Sequence, residues 1–77
     1  MVRLIFTDHV KEAMMRRGVT TSDVEVAWEN HHTTYPGTNP KRDTIVRVGT
    51  GRNGKPLAVV VDGKKPFVIV TAYWKED

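Results

Sequence analysis

The sequence predicts an α+β domain in which two N-terminal helices pack on one face of a three- to four-stranded antiparallel meander. Three observations carry this expectation. Apolar residues recur at helical spacing between Thr7 and Asn30, whereas after Thr44 they alternate or form short unbroken runs of strand length. The dipeptides Asn53-Gly54 and Asp62-Gly63 separate the later runs, as tight hairpin turns do. Helices first and strands afterwards favour an arrangement with the helices gathered on one side of the sheet.

Thr7 is placed to cap the first helix, with Asp8 at its positive end. Gly18 supplies the left-handed residue that stops it. Val10, Ala13, Met14 and Arg17 fall on one side of this helix. A second helix starts at Thr20, Thr21 or Ser22, with two capping boxes in competition: Ser22 with Glu25, and Thr20 with Asp23. Val24, Ala27 and Trp28 form its apolar stripe, which fades near Asn30. Residues 33–35 are a candidate short strand, and Pro36 and Pro40 make the following segment a loop. Residues 44–48 read as a strand alternating around Arg47, 57–61 as an almost wholly apolar strand, and 67–74 as the last and longest.

The 77 residues make one domain, 1–77, of a size that buries only about 60% of its unfolded surface. There is no cysteine, which excludes disulfides and thiolate metal sites. The opening residues hold too short an apolar run for a signal peptide or a membrane span, so a cytoplasmic protein with no membrane partner is expected. Twelve Lys and Arg against nine Asp and Glu give a net charge of +3. That mild excess suits polyanionic partners, and it equally suits a solubilising surface. Arg47, Arg52, Lys55, Lys64 and Lys65 lie in the strand half, mostly at its turns, and are candidates for an RNA-binding rim with Arg16. Lysines at turns also serve to block sheet edges.

His9 is a candidate general acid or base, with a polar helix-start residue as the plainer reading. On an ideal helix Arg16 lies almost beneath it, while Arg17 lies roughly 80° round and ~12 Å along the axis. A catalytic site therefore has to be completed by the sheet, unless Arg17 packs its stem inward and bonds strand carbonyls. Thr71 and Tyr73 share one face of the last strand and are the sheet's candidates, although strand propensity also explains both. The adjacent His31 and His32 lack a third ligand at suitable spacing, so no metal and no cofactor is expected. The segment 49–55 lacks the Gly-Lys-Ser/Thr ending of a phosphate loop and leads into a strand. Strands apolar in both registers leave one sheet face uncovered by two short helices. A protein partner, a second copy in a homodimer, or a curled sheet is expected to cover it.

The order of His9, Met14, Arg17-Gly18-Val19, Asp23-Val24, Gly54-Lys55-Pro56-Leu57, Val59-Val60-Val61 and Val70-Thr71-Ala72-Tyr73 resembles a family of short bacterial and phage domains of unknown function. Those domains begin with a helix of the form His-Ala-x-x-x-Met-x-x-Arg-Gly; here Val10 stands in the alanine position. The family is grouped with the RelE-like toxins and the barnase, EndoU, colicin and RelE superfamily of metal-independent ribonucleases. The resemblance implies a RelE-like fold, and carries the family's histidine onto His9, its arginine onto Arg17 and its final-strand threonine onto Thr71.

It further implies an endoribonuclease toxin of a toxin–antitoxin or polymorphic toxin system, with RNA and a cognate antitoxin or immunity protein as partners. In such chemistry a base deprotonates the ribose 2′-hydroxyl, which attacks phosphorus, while an acid protonates the leaving oxygen and a fixed cation stabilises the developing charge. His9 would be the acid or base, Arg17 or Arg47 the cation, and Thr71 and Tyr73 the positioning groups. The rival expectations are a partner-binding module using the apolar sheet face, and a non-catalytic RNA binder.

Overall fold

The computed structural model describes residues 4–37, 43–65 and 67–75. Its elements are α1 (Asp8–Arg16), α2 (Thr21–Glu29), β1 (His31–Pro36), β2 (Thr44–Thr50), β3 (Pro56–Asp62) and β4 (Ile69–Trp74). The four strands form one antiparallel sheet in the order β1-β2-β3-β4. Both helices lie against one face of it, so the expected α+β meander is what the chain adopts.

Local chemistry sets the helix ends. The Thr7 hydroxyl accepts from the Val10 amide at 3.2 Å. Gly18 sits at φ +69°, with Val19 N–H donating to Met14 O and Gly18 N–H to Met15 O, the paired bonds of a Schellman stop. Met14 and Val19 are both buried in the same core, which gives that stop its usual apolar clasp. Of the two competing boxes before α2, Thr20 with Asp23 forms: each side chain accepts the other's backbone N–H.

The weakly signalled strand at 33–35 is real and longer, β1. Its register with β2 shifts between His31 and Thr33, so His32 is the extra residue of a bulge. The first hairpin turn needs only one left-handed residue, Gly54 at φ +79°, and Asn53 instead accepts from the Lys55 amide through its side chain. The second turn departs from the Asp-Gly expectation. Gly63 has no positive φ; Asp62 Oδ1 takes the amides of Lys64 and Lys65, which widens the loop. The last strand accordingly starts at Ile69, two residues later than expected, and with six residues it is shorter than β2 and β3 with seven each. Pro40 lies outside the described residues.

Register sorts the side chains by face. Ile45, Arg47 and Gly49 of β2, Leu57, Val59 and Val61 of β3, and Ile69, Ala72 and Trp74 of β4 look toward the helices. Gly49 is where α2 comes closest, since a Cβ there would overlap the Ala27 carbonyl. Val46, Val48 and Ala58 point the other way and are nonetheless buried, with Tyr35 and Val60 packed against them. The Lys75 ammonium lies 5.1 Å from the centre of the Tyr35 ring, and these two residues belong to opposite edges of the sheet. The sheet is therefore curled, one of the three covers expected for this face.

Candidate functional site

Arg17, the C-cap of α1, reaches the edge of β4. Its Nη1 donates to Thr71 Oγ1 at 2.5 Å and, at 3.5 Å, to the Ala72 carbonyl. Two residues set 54 positions apart in the chain are thereby joined, and the sequence had singled out both. The joining follows from the path of α1. Before the helix, Ile5 pairs with Phe67 and Ile69 across the same strand edge. After it, Trp74 Nε1 donates to Gly18 O at 3.3 Å. The helix thus runs alongside β4 in the same direction, and its end delivers Arg17 to the middle of that strand.

Helical periodicity put Arg17 on the apolar side, but the residue is exposed. Its backbone has left helical geometry, with φ −97° and ψ 3°, and its side chain turns round the strand edge instead of under the helix. Thr71 pairs with Val60 and Tyr73 with Ala58, which puts both on the face away from the helices. Thr71 is half-buried and Tyr73 is exposed. Arg17 Nε and Nη2 make no hydrogen bond with the described residues, so most of the guanidinium's donors remain for a ligand. The arrangement offers a permanent cation, a hydroxyl and a phenol along one strand edge, a set suited to holding and stabilising a phosphate.

His9 lies in the first turn of α1, exposed and away from Arg17 by the length of the helix. It sits toward the sheet end where Lys64 and Lys65 emerge, because Ile5, just before the helix, pairs with the start of β4. Arg52 and Lys55 emerge at the opposite end, as consecutive turns of a meander must. A seven-residue strand separates the two pairs by roughly 20 Å, so these basic turns do not make one rim. Arg16 is committed to a solvent-exposed pair with Glu12 at 2.7 Å. Arg47 faces the helices, its guanidinium 4.4 Å from the centre of the Trp28 ring. It therefore stands on the other side of the sheet from Thr71 and Tyr73.

The adjacent histidines turn to different partners: His31 Nδ1 to the Trp28 carbonyl and His32 Nδ1 to the Thr33 hydroxyl, each at 3.0 Å. Among the described residues no group of three His, Cys, Asp or Glu could hold a metal ion, and no helix is long and apolar enough to cross a membrane. A hollow of about 380 Å³ opens between the end of α1 and the start of α2, beside Lys11, Met15 and Thr21, and none of the sequence-selected site residues lines it.

Sequence reasoning missed Lys75 and Tyr35, whose contact spans the curled face, and Trp28 beneath Arg47. Lys75 had a legible signal, since it extends the every-second-residue row of Thr71 and Tyr73. The Trp28–Arg47 pair had none, being a contact between elements. A family model described as "Domain of unknown function (DUF4258)" matches residues 6–74. No curated protein matches the chain, and no solved structure does.

Proposed function

The chain belongs to the DUF4258 family of domains of unknown function, and on that premise we propose that it is an endoribonuclease that cleaves RNA by attack of a ribose 2′-hydroxyl on the adjacent phosphate. The observation that carries this reading is the bond from Arg17 to Thr71 at the β4 edge, with Tyr73 two residues further along the same face. The guanidinium, held on one side by Thr71 and the Ala72 carbonyl, keeps its remaining donors for the charge that develops on phosphorus. Thr71 and Tyr73 position the sugar–phosphate. His9, the length of α1 from Arg17, is too far to serve that phosphate and instead holds a neighbouring nucleotide of an RNA strand laid along the helix. Proton transfer at the reacting phosphate therefore falls to the Tyr73 phenol or a water it orders. Acid–base chemistry of this kind needs no metal. The resemblance to RelE-like toxins supports reading the activity as that of a toxin held in check by a small partner protein.

Arg17 also ties a helix end to a strand carbonyl, and that observation favours a second reading, a non-catalytic binding module of the same fold. One experiment separates the two. Purified protein is incubated with total RNA in the presence of a chelator, and the new RNA ends are mapped. Cleavage to 2′,3′-cyclic phosphate ends is expected. Arg17→Lys, which keeps the charge and loses the planar fork, should slow it about 10²-fold, and Thr71→Val should slow it in the same direction. Tyr73→Phe should cost about 10²-fold or more, whereas His9→Ala, remote from the reacting phosphate, should cost less than about tenfold. Absence of cleavage of any RNA, free or ribosomal, ends the enzyme reading, and RNA retention without cleavage selects the binding module.

A further inference from the structure

Arg47 is the one described cation whose side chain is partly enclosed and yet unneutralised. It occupies the middle of β2 on the face toward α2, and its guanidinium lies over the Trp28 ring. Its Nε is buried without a hydrogen-bond partner. Its two terminal nitrogens are not enclosed, and they too bond to none of the described residues. The ion pair among the described residues is Arg16 with Glu12, so Glu25 and Glu29 of the neighbouring helix stay beyond ion-pair distance of Arg47. Thr34, exposed on β1, is the cross-strand neighbour of Arg47 and shares its face. His31 stands on that face as well, anchored through Nδ1 to the Trp28 carbonyl.

We propose that Arg47, Trp28 and Thr34 form a nucleotide-binding subsite for single-stranded RNA on the helix side of the sheet, separate from the Arg17–Thr71 site. The terminal guanidinium nitrogens form a fork matched to phosphate oxygens, and the aromatic ring beneath fixes the fork in place. The outer face of the guanidinium, backed by the indole, accepts a base by stacking. The Thr34 hydroxyl bonds a phosphate oxygen or the 2′-hydroxyl. A carboxylate-rich peptide would engage the fork alone and leave the planar guanidinium face unused. The subsite stands whether or not the chain cleaves RNA.

The test follows the Trp28 indole N–H resonance, assigned with Trp28→Phe, during titration with a hexauridylate RNA, inorganic phosphate or a hexaglutamate peptide. The RNA is expected to shift the resonance at lower concentration than either other probe. Arg47→Lys should weaken binding about tenfold or more through loss of the fork. Thr34→Val, a change on the exposed strand that leaves the core untouched, should weaken it about threefold or more. Thr71→Val and Arg17→Lys should leave this titration unchanged, which separates it from the cleavage reading. A resonance silent to RNA, equal affinity in both the Arg47 and Thr34 variants, or a response to phosphate or hexaglutamate as strong as to RNA overturns the proposal.

Discussion

Arg17 joins two pieces of chain, the end of α1 and the middle of β4, through the Thr71 side chain and the Ala72 carbonyl. A long cation usually wanders in solvent, and here two acceptors on one strand give it a fixed address. Its bond to Thr71 is solvent-exposed, so its stabilising contribution is small. Thr71→Val is expected to lower unfolding stability by no more than about 1 kcal/mol in a denaturant titration, because the Ala72 acceptor remains. The same substitution is expected to slow RNA cleavage about 10²-fold, so stability and activity should separate at this residue. The sequence made both partners legible as chemistry-bearing residues, but not their contact. Periodicity assigns Arg17 a direction only while the helix continues, and the helix ends at Arg16.

At the scale of elements, stops and starts are local and were the most legible part of the fold. The reciprocal Thr20–Asp23 box satisfies two amides that α2 would otherwise leave open. Thr20→Ala is expected to cost about 1 kcal/mol of stability, read by thermal or chemical unfolding, whereas Ser22→Ala should cost far less. β1 was harder to read because His31-His32-Thr33-Thr34 has no apolar alternation, and its first four residues are exposed at the edge of the sheet. The second hairpin misled because Asp-Gly suits two different turns. One uses a left-handed glycine, and the other uses the aspartate side chain to collect amides, which is what Asp62 does.

Across the whole molecule, the sheet has a core on each face. The helix side is closed by α1 and α2, and the far side closes on itself through Val46, Val48, Ala58, Val60 and Tyr35. An apolar far face was legible from strands that are hydrophobic in both registers. Its cover was not, because curling depends on how twist, bulges and edge side chains accumulate over all four strands. Tyr35 is the largest side chain closing that face. Tyr35→Ala is expected to cost about 1–2 kcal/mol and to raise binding of a hydrophobic dye without unfolding the helices.

The two edges of the sheet are unlike. Along β4, Ile5 occupies the backbone groups of Phe67 and Ile69, and Arg17 occupies the Ala72 carbonyl. β1 lies at the opposite edge, with no strand beyond it among the described residues. Backbone pairing between molecules is therefore easier along β1 than along β4, whose edge is partly engaged. Two copies joined there would present partly engaged borders outward, so the same contacts that seat α1 hinder strand-by-strand growth into a fibre.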